Sequence, residues 1–262
     1  MSESKQPIKY GVCKFTHIPV REEPGNSAEM GSELLIGEPV TVSRKEGRWL
    51  RVECAHDNYP GWIDERQIAS IDKAEFDRLN SINSYMSAIG LITEKTGRTF
   101  IASTGTPITD TVGGIQYCAE NMDAICHIKV EASPEERIKQ ALEMGVKFLG
   151  TPYFWGGRSG FGIDCSGLTQ MLYRFAGVRL PRNASQQVGC GLEVLFEDAI
   201  PGDLAFFGEN EKIIHVGMIC RDGLILHAAG SQLVQIDTLK PEGIFTGDGE
   251  QSHTLACVRR ML

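Results

Sequence analysis

The chain has 262 residues, 42% hydrophobic and 23% charged, enough apolar material for one large domain or two to three small ones, which excludes a mostly disordered chain. Twenty-six basic against 34 acidic residues leave a net charge of -8 and a pI near 5.3, so no nucleic-acid partner, which would ask for a basic stripe, is expected. No window approaches about 18 uninterrupted apolar residues, so no membrane span is expected, and the 29 glycines point to many tight turns.

The opening residues, Met1 to Gln6, are polar and lead into no apolar segment of a secretory signal. A cytoplasmic location is expected, with a periplasmic one as the alternative if an export signal was removed. Eight cysteines are scattered without a CxxC pair, which reads as free thiols rather than a disulfide framework. No cysteine or histidine pair has finger-like spacing, so no metal site is expected.

Residues 8–70 read as short strands separated by turns, with alternation from Ile36 to Val42, Trp49 to Val52 and Trp62-Ile63, and Pro-Gly punctuation at 24–25 and 60–61. This pattern predicts a small barrel or sandwich. Asp72, with Glu75 three positions on, opens a helical stretch through Phe76, Leu79 and Ile82. Residues 89–130 return to irregular strand-like text punctuated by Gly97, Gly105 and Gly113-Gly114.

At Ser133 the text changes. Ser133-Pro134-Glu135-Glu136 supplies an N-cap, a proline in the first turn and a capping-box glutamate. Ile138, Ala141, Leu142, Gly145 and Leu149 follow at helical spacing, with Gly150 as the stop. A second helix is predicted from about 165 to 176, closed by Gly177, with Leu168, Met171, Leu172 and Phe175 on one face. Strands are then predicted at 204–207, 213–220, 224–229 and near 254–260. Helices followed by an antiparallel meander make an α+β domain of about 130 residues.

Cys165 alone among the cysteines begins a predicted helix. Asp164 is placed to cap it, and the first-turn N–H groups would favour a thiolate, although cysteine also packs as a small buried residue. His215 and His227 lie on consecutive strands joined by Arg221-Asp222-Gly223. A three-residue loop pairs 220 with 224, and so 217 with 227, putting both histidines on one face a diagonal step apart. A two-residue loop at Asp222-Gly223 would place them on opposite faces. Nucleophile, base and a group that orients the base are the three parts of thiol catalysis.

Gly150-Thr-Pro-Tyr153-Phe-Trp155-Gly156-Gly157, Asp164-Cys165-Ser166-Gly167-Leu168, Leu180-Pro181-Arg182, Pro201-Gly202-Asp203-Leu204, His215-Val216-Gly217-Met218 and Leu226-His227-Ala228 occur in this order. Across residues 133–262 they resemble the NlpC-type cell-wall cysteine peptidases. The resemblance implies a papain-like domain, with helices packed on an antiparallel sheet, in which Cys165 is the nucleophile, His215 the base and His227 the orienting residue. Tyr153 would help bind the oxyanion beside the Cys165 N–H, and Trp155 would pack. No cofactor is implied.

The N-terminal half resembles bacterial SH3-like barrels through Val20-Arg-Glu-Glu-Pro24, Leu35-Ile-Gly-Glu-Pro-Val40, Trp49-Leu-Arg-Val52 and Tyr59-Pro-Gly-Trp-Ile63. The implied organisation is a first barrel over 1–70, a linker helix and second barrel over 71–130, and the peptidase domain over 131–262. That arrangement is similar to γ-D-glutamyl-L-diamino acid endopeptidases of the dipeptidyl-peptidase VI type. It implies a substrate of murein-derived peptide, L-Ala-γ-D-Glu-diamino acid with a free N-terminus, acted on by a monomer. Substrate-binding residues implied are Tyr59 and an acid of the first barrel (Glu29, with Glu33 and Glu38 as alternatives), Asp164, Ser166, Arg182 toward a carboxylate, and Asn183. Asn183-Ala184 replaces the more usual Asp-Ser. The alternatives are a non-catalytic peptidoglycan-binding module, or an amidase or acyltransferase on the same fold.

Overall fold

Alternation builds the first strands: in Trp49–Cys54, Leu50, Val52 and Cys54 are buried while Glu53 is exposed. The structure, a computed structural model, describes residues 9–94, 96–112, 115–119, 125–129, 131–209, 212–230 and 232–262. The chain folds as two compact units, Met1–Ile125 and Cys126–Leu262.

In the first unit, β1 (Tyr10–Cys13), β2 (His17–Arg21), β3 (Met30–Leu35), β4 (Pro39–Glu46), β5 (Trp49–Cys54), β6 (Pro60–Asp64) and β7 (Ile68–Ile71) form one sheet ordered β3-β2-β6-β5-β4-β1-β7. It wraps a core of Ile18, Val20, Leu34, Leu50, Val52 and Ile63. The Pro60-Gly61 pair, expected as a turn, opens β6 instead. The reversal comes just before it, where Asn58 takes φ 59°. Gly61 supplies clearance, since a Cβ there would lie 2.3 Å from Val20 Cγ1.

Helix α1 (Lys73–Asn80) starts where Asp72 accepts from the Glu75 N–H at 2.8 Å, and it buries Phe76 and Leu79. There follow β8 (Ser84–Met86), β9 (Gly90–Glu94), β10 (Thr99–Ala102), β11 (Thr111–Val112) and β12 (Ile115–Ala119), of which the last four form a sheet ordered β10-β9-β12-β11. Met86, Ile92 and Ala102 share a cluster with Val12, Ile36 and Leu79, so one core joins the two β segments of this unit. Of the punctuating glycines, Gly97 and Gly105 have φ of 87° and 84°, whereas Gly113-Gly114 lie outside the described residues.

Strand β13 (Ile125–His127) precedes α2 (Pro134–Gly145). Ser133 Oγ accepts from the Glu136 N–H and Glu136 accepts from the Ser133 N–H, each at 3.3 Å, the box that the sequence predicts. The helix does not run on to Leu149. It tightens into a 3-10 turn over Val146–Phe148, which turns Phe148 into the core and leaves Leu149 42% exposed. Gly150, at φ 81°, ends the turn.

A hairpin of β14 (Arg158–Ser159) and β15 (Gly162–Ile163) leads into α3 (Cys165–Phe175), buried throughout except at Arg174, and then α4 (Ala184–Gln187). The remaining strands are β16 (Leu192–Val194), β17 (Leu204–Glu209), β18 (Lys212–Arg221), β19 (Leu224–Ala228), β20 (Val234–Lys240), β21 (Gly243–Phe245) and β22 (Gln251–Arg260). Their order is β16-β22-β17-β18-β19-β20-β21, and β21 also pairs with β22. The expected open meander is therefore a closed six-stranded barrel, with β16 flanking it. The sequence reading misses β20 because its buried residues, Val234 and Leu239, are five apart and break the two-residue period. Helix α3 packs on α2, β18 and β19, which presents its first turn to the sheet.

Candidate active site

Cys165 is the first residue of α3, and Asp164 caps that helix by accepting from the Gly167 N–H at 2.7 Å. The other Asp164 oxygen accepts from the Gly156 N–H at 2.8 Å, tying the 150–157 loop to the same turn. Two glycines permit this approach. A Cβ on Gly167 would lie 2.3 Å from the Gly157 carbonyl oxygen, and one on Gly157 would lie 2.3 Å from that of Gly162. The loop thereby brings Tyr153 close enough to Cys165 that burial and the neighbouring thiol and Asp164 hold its hydroxyl above the usual phenol range, as a proton donor.

The two histidines meet as the register argument expects, by a different turn. Arg221 pairs with Leu224, so the loop is the two-residue Asp222-Gly223 type that would have separated them. A bulge at Cys220 absorbs one residue, restoring the pairs Ile219–Ile225 and Met218–Leu226 and with them the shared face. His215 Nε2 and His227 Nδ1 are 2.9 Å apart, and both rings are buried. Gly217 lies beside His227, where a Cβ would come within 2.9 Å of the His227 Cβ. Helix α3, which Cys165 begins, packs on β18, the strand that carries His215.

Burial overrides the helix terminus in setting the state of the thiol. Desolvation, with Asp164 adjacent, pushes Cys165 up to about 12, although Arg182 and hydrogen bonding from Val216 and Ser166 pull the other way. Desolvation, then the charges of His227 and His253, hold His215 well below the ordinary imidazole value. Burial therefore disfavours the charged form of both thiol and imidazole, which opposes the pull toward thiolate that the sequence position suggests.

Three of the implied substrate ligands are engaged inside the protein. The Arg182 guanidinium donates to both Asp164 oxygens at 2.9 and 2.5 Å and to Ser166 Oγ at 2.9 Å, and all three residues are buried. Ser166 Oγ in turn donates to Asp164 at 3.2 Å. This triad braces the first turn of α3, and the bonds that these three residues make are to one another and to the neighbouring backbone. Asn183 is exposed and precedes α4, its backbone N–H donating to Gln186 Oε1 at 3.4 Å. Trp155, expected to pack, is 62% exposed.

In the first unit the Tyr59 hydroxyl donates to Glu22, and a Cβ on Gly31 would lie 2.1 Å from both groups. Glu29 is exposed nearby, its carbonyl accepting from the Glu22 N–H at 3.0 Å. Glu33 and Glu38 are buried, the first bonded to His17 at 3.0 Å and the second accepting from the Leu35 N–H at 2.9 Å. No signal in the sequence connects Glu22 to Tyr59.

A model of the NlpC/P60 family matches residues 150–246, and one of the bacterial dipeptidyl-peptidase Sh3 domain matches residues 20–68. A Bacillus subtilis protein named gamma-D-glutamyl-L-lysine dipeptidyl-peptidase is 30% identical over 224 residues, spanning 75% of this chain and 71% of that protein. This chain belongs to the NlpC/P60 family. A Bacillus cereus protein of the same name is 28% identical over 235 residues, spanning 78% of this chain and 68% of that one. The crystal structure of an NlpC/P60 family protein from Bacillus cereus shares the fold, with a TM-score of 0.80 at 22% identity over 97% of this chain and 99% of that chain.

Two residues near the histidines escape the sequence reading of this NlpC/P60 chain. Asp237, on the unforeseen β20, lies 3.0 Å from His227 Nε2. His253, on β22, stacks on His215 with ring centroids 4.2 Å apart. The hairpin argument that joined His215 to His227 would have reached Asp237 had β20 been recognised, because Gln235 pairs with His227 and Asp237 is the next residue on that face. β22 pairs with β17 on the side away from β18, which puts His253 within reach of His215, and no local signal foretells that pairing.

Proposed function

We propose that this chain is a cysteine endopeptidase that hydrolyses the bond between γ-D-glutamate and a diamino acid in murein-derived peptides, with preference for a free N-terminal L-alanine. The observation that carries the reading is the buried His215–His227 hydrogen bond at 2.9 Å, beside the strand β18 on which the helix that Cys165 begins is packed. The names of the two Bacillus relatives supply the bond that is cut.

Cys165 is the nucleophile and His215 the base. The thiol proton passes to His215 and the sulfur attacks the γ-carbonyl carbon. Tyr153 and the Cys165 N–H stabilise the oxyanion. When the carbon–nitrogen bond breaks, His215 gives the proton to the departing amine and a thioester remains. Water loses a proton to the same imidazole, attacks the thioester, and releases the γ-carboxyl product and the thiol. His227 orients His215. Arg182, Asp164 and Ser166 hold the nucleophile in place from behind. For the free amine, the exposed acids beside Tyr59, Glu22 and Glu29, are the candidates of the first unit. The 90–119 sheet is read as a second, reduced SH3-like barrel, and the second unit as papain-like.

The test is incubation with L-Ala-γ-D-Glu-L-Lys and its diaminopimelate counterpart, with fragments identified by mass spectrometry. The expected products are L-Ala-D-Glu and the free diamino acid, absent with Cys165→Ala. Cleavage elsewhere, or equal turnover by Cys165→Ala, refutes the proposal.

A further inference from the structure

His215, His227 and Asp237 step diagonally across three neighbouring strands. Met218 pairs with Leu226, so the next residues in register are Gly217 and His227, and His227 pairs with Gln235; His215 and Asp237 thus lie on opposite sides of His227 along one line. The contacts run along this line, 2.9 Å from His215 Nε2 to His227 Nδ1 and 3.0 Å from His227 Nε2 to Asp237 Oδ2. The Asp237 side chain is 10% exposed and that of His227 is 1% exposed. Gln235 Nε2 donates to the same Oδ2 at 2.6 Å, so two donors converge on that atom and only an oxygen suits the position.

This arrangement determines where the protons lie. A carboxylate only accepts, so His227 Nε2 carries the hydrogen and donates it to Asp237. Neutral His227 then has a bare Nδ1, and the 2.9 Å contact requires a hydrogen on His215 Nε2. Neutral His215 is left with its lone pair on Nδ1, the one nitrogen still available to the thiol. We infer that Asp237 is a positioning residue for the hydrolysis: through His227 it holds His215 in the tautomer that can take the Cys165 proton. The inference rests on the cysteine-peptidase reading above.

The same line carries charge. When His215 takes the thiol proton, the imidazolium is bonded to His227, whose far nitrogen faces a carboxylate, as a base-orienting acid requires. Other groups around the pair are His253 from β22, stacked on His215, and Cys165 from α3 with the Asp164–Arg182 pair behind it. Bonding to Asp237 raises the affinity of His227 for a proton while its burial lowers it. His253 acts against a charge on His215. Removing the carboxylate therefore lowers the pH at which the pair becomes protonated.

The experiment compares Asp237→Asn and Asp237→Ala, each alone and combined with His227→Ala. Two readouts are taken across pH: kcat/KM on the tripeptide, and the rate of iodoacetamide alkylation at Cys165, which needs no peptidase activity. A placed base contributes about 10²–10⁴-fold, and a residue one link removed takes the lower end, so Asp237→Ala should lower kcat/KM about a hundredfold with KM little changed. Asp237→Asn keeps an acceptor oxygen toward His227 and Gln235 and should lose about tenfold, its acid limb moving to lower pH. With His227→Ala the link is already cut, and adding Asp237→Ala should cost less than about threefold more. Equal losses in both backgrounds, or an unmoved acid limb with an unchanged alkylation profile, would overturn the inference. If Asp237→Ala does not fold, Asp237→Asn decides by the same criteria. If the wild type cleaves no tripeptide, the substrate assignment fails, and the alkylation profiles still decide the role of Asp237: changed profiles uphold it and unchanged ones overturn it.

Discussion

Replacing Arg182 with methionine separates an internal brace from a substrate ligand. Its guanidinium makes bonds of 2.9 and 2.5 Å to Asp164, 2.9 Å to Ser166 Oγ and 3.4 Å to the Gly157 carbonyl, and the paired side chains are 1% and 8% exposed. Removing one member of a buried ion pair costs about 3–5 kcal/mol. Asp164 would keep its bonds from Gly156, Gly167 and Ser166, so the lower end applies. About 3 kcal/mol corresponds to roughly a hundredfold in the equilibrium that opens the second unit. Hydrogen exchange read by mass spectrometry over residues 165–175 should show protection falling by about that factor. Alkylation adds a readout with a defined sign. Arg182 pulls the Cys165 thiol down and Asp164 pushes it up, so Arg182→Met should raise it further and slow iodoacetamide at fixed pH. Asp164→Asn should do the opposite. Unchanged protection and alkylation, with KM alone raised, would refute the brace and return Arg182 to substrate binding.

His215→Ala should lose about 10²–10⁴-fold in kcat, and His227→Gln less, because an amide oxygen can still accept from His215; steady-state kinetics on the tripeptide reads both. Gly217→Ala should lower kcat and cost about 1–3 kcal/mol in urea unfolding, since its Cβ would meet Ile225 Cδ1 at 2.7 Å and His227 Cβ at 2.9 Å. Free tripeptide should be cleaved far better than its N-acetylated form. Glu22→Gln or Tyr59→Ala should narrow that gap by weakening the free-amine substrate, and comparable wild-type kcat/KM for the two peptides would remove the amine-gated reading.

How far the sequence reaches depends on the range of the physics involved. Ser133 with Glu136, Asp164 with Gly167, and the ends of α3 were legible because capping acts between residues three apart and Gly177 must take φ 73°. The shared face of His215 and His227 was legible in the same way, from a single hairpin, although the turn closes on two residues and needs the Cys220 bulge to restore the register. The place of Cys165 at the start of α3 was legible too, because a helix terminus and its flanking glycines are local. Only the tertiary structure decided the rest. Pairing of β22 with β17 brings His253 onto His215, and β20 adds Asp237 behind His227. Burial decided that Arg182 pairs with Asp164, because a guanidinium 18 residues away in sequence becomes a neighbour only once α3 has packed. Burial also pushes the Cys165 thiol up against the pull of the helix terminus, since the cost of desolvating a thiolate depends on everything packed around it and is written in no single motif.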